Sequence, residues 1–180
     1  GESVAGALGV AGSGTLPKAK SNATVSATGG GVINADAGVN ILATGTDRAI
    51  TQSNGLTIGL LAGIGISDAT STSAGQITAS TGSGTITGGG LRVEASGLQR
   101  ADAEAEASGG GLFAGANASV STAHVDPQVK AEIGAGANID ITGNALVYAT
   151  AVTEGDADAE GITLAGVFAA GHAPSAGVPD

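Results

Sequence analysis

The residues with the most chemical potential in this 180-residue chain are carboxylates. Asp102, Glu104 and Glu106 alternate with alanines, and Asp156, Asp158 and Glu160 do the same 54 residues later. If the two segments lie side by side, like charges stand roughly 4.8 Å apart and repel. A hard divalent cation such as Ca²⁺ would relieve that repulsion through shared oxygen ligands, so the six acids are the candidate cation ladder. The competing reading is a solvated face that keeps a flat sheet soluble and discourages lateral aggregation. The Gly-Gly-x-Gly-x-Asp repeat of calcium-binding β-rolls is absent, which favours the solvated face. The same offset places Arg100 beside Glu154. No other cofactor is indicated.

Other reactive groups are scattered. His124 and His172 are 48 residues apart and fall at different points of the repeat described below, as incidental histidines do. No Gly-x-Ser-x-Gly elbow joins a paired His and acid. Gly29–Gly31, Gly88–Gly90 and Gly109–Gly111 do not lead into a Lys-Ser/Thr helix start, so they read as turns or close-packing sites rather than phosphate loops. The stretches Thr70–Ser73 and Thr85–Thr87 raise ice binding, but their equivalents in other units are not consistently Thr. Asn22-Ala-Thr24 and Asn117-Ala-Ser119 match the glycosylation triplet, which this composition produces by chance. An enzyme acting on polysaccharide needs acids grouped in a groove with aromatic platforms. One Tyr and two Phe argue against it, and the chain is expected not to be an enzyme.

The elements that carry these residues follow from a repeat. Val25-Ser-Ala27, Ile77-Thr-Ala79 and Val129-Lys-Ala131 recur at intervals of 52 and 52. Strand-like segments beginning at Val39, Leu91 and Ala145 recur at 52 and 54. Ala-Gly pairs at Ala11, Ala62, Ala114 and Ala165 recur at 51, 52 and 51. Three markers with one spacing define a unit of about 52 residues. The approximate units are 1–46, 47–98, 99–151 and a partial 152–180, all within one domain.

Within a unit the period is two. Leu91, Val93, Ala95 and the alanines at 101, 103, 105 and 107 hold one parity, and Arg92, Glu94, Asp102, Glu104 and Glu106 hold the other. A helix would spread these acids around its whole circumference and leave no apolar stripe to bury, so a strand is expected. Each unit should hold a long alternating strand (91–107 in the third), a glycine-rich apolar strand (110–125) running into a turn at Asp126-Pro127, and a shorter strand (128–141). One unit cannot bury its own apolar face, so equivalent strands should stack in parallel. The fold class is therefore all-β, a parallel β-solenoid in the form of a right-handed β-helix. Segments 55–66 and 161–170 are too apolar for a strand with one wet face. Either both faces are buried within the chain, or one meets another chain.

Composition sets the boundary conditions. Gly contributes 33 residues and Ala 36, with no Trp, Met or Cys, so the interior must be filled by small side chains packed closely and regularly. Missing cysteines remove disulfides, thiolate metal sites and Cys nucleophiles together. A net charge of −10, from 16 acids and 6 bases, argues against nucleic-acid binding. No apolar run approaches the roughly 20 residues of a membrane helix, so no membrane insertion is expected. Residues 1–14 lack the basic start of a signal peptide, and both ends read as cuts within a longer repetitive sequence.

The third unit resembles a repeat of giant secreted bacterial adhesins, the filamentous-haemagglutinin-like and leukotoxin-like surface proteins. The resemblance rests on Ala103–Gly111, Gly115–Thr122, Val125–Ile139 and Gly143–Thr150. It implies an extracellular, cell-surface parallel β-helical stalk that extends and displays. The expected partners are neighbouring repeats or identical chains, end to end or side by side, and the motif points to a class of protein rather than to a particular surface or polysaccharide ligand. The first two units lack the Asp-Pro turn and the acidic alternation. A self-assembling subunit of an extracellular protein fibre is the alternative, with ice-binding and Ca²⁺-dependent solenoids behind it.

Overall fold

A computed structural model of the chain describes residues 1–179, and among them it contains strands and no helix. The first unit holds β1 (Glu2–Ala7), β2 (Val10–Thr15), β3 (Lys18–Ser21), β4 (Thr24–Thr28) and β5 (Gly31–Ala35). The second holds β6 (Val39–Gly59), β7 (Ala62–Ser73), β8 (Gln76–Ser80) and β9 (Gly84–Gly88). The third holds β10 (Leu91–Gly111), β11 (Ala114–Val125), β12 (Gln128–Glu132) and β13 (Ala137–Ile141). The fourth holds β14 (Ala145–Ala165), β15 (Phe168–His172) and β16 (Ser175–Pro179).

Every strand pairs in parallel with its counterpart in a neighbouring unit, which builds four sheets. The long sheet runs β1-β6-β10-β14, and a second runs from β2 and β3 through β7 and β11 to β15 and β16. Two three-stranded sheets, β4-β8-β12 and β5-β9-β13, complete the set. The all-β, parallel architecture expected from the two-residue period is thus observed.

Three details differ from the sequence expectation. The long strand is 21 residues rather than about 17, because alternation continues through Gly109 and Gly111, which have no side chain to announce it. The segment 128–141 is two strands, β12 and β13, separated where Gly136 takes φ +78°, a left-handed conformation that breaks a strand. The Ala-Gly marker is displaced: Ala62 pairs with Val10, and Phe168 rather than Ala165 is the counterpart of Ala114. Ala-Gly dipeptides are common in this composition, and a one-residue slip would turn every side chain to the other face. The expected unit boundaries at 46/47, 98/99 and 151/152 fall inside β6, β10 and β14.

The core lies between the long sheet and the other three, and it tapers. Along β10 the inward residues run Leu91, Val93, Ala95, Gly97, Gln99, four alanines, Gly109 and Gly111. At the broad end Ile41, Ile77, Ile86, Leu91 and Val93 form the main apolar cluster. The chain doubles back after Leu60-Leu61, so β7 faces the second half of β6. Ser53 Oγ and Ser67 Oγ meet at 2.9 Å, and farther from the hairpin Ser73 Oγ donates to Asp47 Oδ2 at 2.8 Å. At the narrow end the sheets approach so closely that a Cβ on Gly65 would lie 2.7 Å from Ser108 O. Side-chain volume therefore sets the local sheet separation, and the layer thins from branched aliphatics to glycine.

The middle of the core is polar and satisfied. Thr15, Ser53 and Ser67 form a buried triangle of hydroxyls, with Thr15 Oγ1 3.0 Å from Ser67 Oγ. Gln99, fully buried, donates from Nε2 to Gly75 O at 2.8 Å and accepts from Gly75 N–H at 3.3 Å. Asp47 accepts from Ser21 as well as Ser73. In a layer this thin, short hydroxyls and one amide reach the opposite strand directly, so these polar groups are satisfied, whereas Ser3 Oγ and Asn117 Oδ1 elsewhere in the layer are not.

Candidate functional site

The acidic ranks occupy the outer face of the long sheet, where β10 and β14 run at an offset of 54. Asp102 pairs with Asp156, Glu104 with Asp158, Glu106 with Glu160 and Arg100 with Glu154. On the other side β6 contributes Arg48 beside Arg100, Ile50 beside Asp102, Gln52 beside Glu104 and Asn54 beside Glu106. Because side chains alternate across a strand, inward alanines leave the outward positions free for charge, and parallel pairing aligns those charges in rows.

Arginines sit among the acids. Asp102 accepts from Arg100 Nε at 2.7 Å and from Arg48 at 2.9 Å, and Arg100 also lies 3.4 Å from Glu154. Gln52 Nε2 donates to Glu104 at 2.9 Å. Burial raises the Asp102 pKa, and hydrogen bonds from Arg100 and Arg48 outweigh it and hold the carboxyl below its ordinary value. The Arg100 pKa is raised, chiefly by its bond to Asp102. Further along the same face, Arg92 donates to Tyr148 and stacks 5.5 Å from its ring centroid.

Asp102, Glu104, Asp156 and Asp158 line a shallow trough with Arg48 and Arg100, of about 630 Å³. Among the described residues, no three His, Cys, Asp or Glu side chains converge in a way that could hold a metal ion. The groups that approach Asp102 are guanidinium groups, whose bidentate forks complement carboxylates directly. The trough is thus a mixed-charge surface in which Asp102 is tied to arginines of the same sheet.

The remaining candidates are dispersed. His124 lies beside Thr72 and His172 beside Ala118 in the ladders, so the histidines stand six positions apart in register. The Thr ranks are interrupted: Thr85 lies between Val32 and Asn138, and Thr87 between Asn34 and Asp140. Asn117 is buried and donates to Ala107 O at 3.2 Å, which withdraws its side chain from modification.

The segments 55–66 and 161–170 do not have both faces buried within the chain. In 55–66 the inward residues Gly55, Thr57, Gly59, Gly63 and Gly65 are buried while Leu56, Ile58, Ile64 and Ile66 are exposed; in 161–170 Thr163 and Ala165 are half-buried and Ile162 and Leu164 are exposed. Of the two readings of these stretches, burial of both faces rests on total apolarity, which ignores parity. The signal was present in Leu56-Thr-Ile58, where the hydroxyl points in and the aliphatics point out. Comparison of the chain with protein-family models, with curated proteins and with solved structures finds no match.

Proposed function

We propose that the chain is a structural segment of an extracellular bacterial adhesin or surface filament, folded as a right-handed parallel β-solenoid with one turn per unit. Its work is to extend and display rather than to catalyse. The observation that carries this reading is the register: every strand of all four sheets pairs in parallel with its counterpart 52 to 54 residues on. Such pairing propagates indefinitely, each unit serving as template for the next, and yields a constant cross-section bearing rows of repeated side chains. The outward rows, one of arginines with Glu154 and three of carboxylates beside Ile50, Gln52 and Asn54, suit the display of a polar surface to a partner.

The reading is tested by changing the number of units. Inserting a second copy of residues 39–90 after position 90 should lengthen one dimension by about 4.8 Å and leave the other two unchanged, as measured by small-angle scattering and electron microscopy. Growth of the cross-section, or loss of the β signal, would overturn it.

A further inference from the structure

The narrow, glycine-packed end of the molecule is free of formal charge. Residues 3–17, 49–67, 107–125 and 161–179 contain no Asp, Glu, Lys or Arg, and parallel pairing gathers them at one side of the fold. On the outer face of the long sheet they make an apolar surface with relief. Across β1, β6, β10 and β14 one row reads Gly6, Ile58, Gly110, Leu164. Small and large alternate strand by strand. The notch over Gly110, flanked by Ile58 and Leu164, opens into a groove of about 750 Å³ whose far side is lined by Leu8, Leu60 and Leu112. The adjoining row reads Val4, Leu56, Ser108, Ile162.

We propose that this face binds a second copy of the same chain in a twofold, face-to-face pair. A copy rotated by 180° about an axis parallel to the strands, midway between β6 and β10, keeps each row aligned and reverses the strand order. Ile58 then enters the notch at Gly110 of the second copy, and Leu164 meets Gly6 of the second copy. In the next row Leu56 meets Ser108. Every bulky residue of the main row faces a position without a side chain, the self-complementarity an isologous interface requires, while in the rows on either side Val4 meets Ile162 and Leu60 meets Leu112 of the second copy, aliphatic against aliphatic. At the rim Asn54 meets Glu106, an amide against a carboxylate, while Glu2 meets Glu160.

The area is adequate for a weak, specific pair. Together with the row Leu8, Leu60, Leu112 and Gly166 just beyond the strand ends, a span of eight residues at about 3.3 Å across four chain segments about 4.8 Å apart gives roughly 500 Å² per copy and about 1,000 Å² in all, the lower bound for a specific interface. Added units would extend the same rows, so the contact grows with the number of units. The Glu2–Glu160 encounter makes association tighten as salt rises.

Gly110 supplies a discriminating test. A Cβ there would meet nothing nearer than Leu164 O at 3.8 Å and Thr57 O at 3.9 Å, so a side chain fits the fold and points into the notch. Sedimentation equilibrium of the whole chain from about 5 to about 500 μM should show a reversible dimer with Kd in the tens to hundreds of micromolar. Gly110→Ile should weaken it at least about tenfold although it adds apolar surface. The pair Ile58→Ala with Gly110→Ile exchanges ridge and notch and should restore affinity to within about threefold of the parent. Leu164→Ser, which only removes a ridge, should also weaken the dimer. A parent chain that stays monomeric throughout overturns the proposal, including the case in which it is instead captured by phosphatidylcholine vesicles. Association unchanged or strengthened by Gly110→Ile also overturns it, since that is the signature of unspecific apolar contact.

Discussion

Asp102 is the one carboxylate of the ranks held by two guanidinium groups, and its 18 % exposed side chain sits where β6, β10 and β14 meet. Its neighbours Glu104 and Asp156 face water more openly, and Glu104 accepts from the neutral amide of Gln52 rather than from a guanidinium group. Because the folded-state pKa of Asp102 lies below its ordinary value, its ion pairs contribute stability above the unfolded pKa near 3.9. That contribution is lost as pH falls through the lower, folded value. Asp102→Asn should therefore cost on the order of 0.5–1 kcal/mol at neutral pH, the range of well-placed surface pairs. The difference in melting temperature between parent and variant should shrink as pH is lowered below about 4. A difference that persists unchanged at pH 2 would show that Asp102 acts through packing instead.

At the scale of the strand, the controlling quantity is the distance between sheets, and adjacent glycines of β10 report it differently. A Cβ on Gly109 would fall inside the van der Waals envelope of Ala116 O across the layer, whereas one on Gly110 points outward into open space. Gly109→Ala must push the sheets apart or bend β10, and should cost about 2–4 kcal/mol as overpacking against backbone. Gly110→Ala should be neutral or stabilising by up to about 1 kcal/mol, because it removes backbone freedom from the unfolded chain and keeps an extended φ. Denaturant unfolding of the two variants side by side measures both; equal destabilisation would refute the tapered layer. The long alternating strands and the acid register were legible in the sequence because alanine and acid alternate visibly and the interval of 54 between Leu91 and Ala145 is fixed by strong β-formers. The taper was not, since a glycine states neither its parity nor its neighbour. Nor were the interior polar contacts of Gln99 and Asp47, whose partners Gly75, Ser21 and Ser73 are ordinary turn and strand residues. The break at Gly136 depends on its backbone conformation, and glycine is too frequent here to mark it.

For the whole molecule, charge is distributed as sharply as volume. The long sheet carries acids and arginines on its outer middle, its narrow end is apolar, and the net charge is −10. Repulsion summed over such an excess opposes folding and is screened by salt, with a Debye length of about 10 Å at 0.1 M. Raising ionic strength from about 0.01 to about 0.2 M should thus raise the melting temperature by a few degrees, at about 2–4 °C per kcal/mol for a chain of this size. The same measurement decides between the two readings of the acidic ranks. If they are a solvated face tied together by Arg48 and Arg100, CaCl₂ and NaCl matched in ionic strength should act nearly alike, and EDTA should change nothing. If Asp156, Asp158 and Glu160 bind Ca²⁺ against Asp102, Glu104 and Glu106, millimolar Ca²⁺ should add a further shift of at least about 4 °C, following the mass-action gain of a bound ligand. Asp156→Asn with Asp158→Asn would then abolish the extra shift. The arginine contacts at Asp102 and the absence of a converging acid triplet among the described residues favour the first outcome, in which all divalent and monovalent salts stabilise through screening alone.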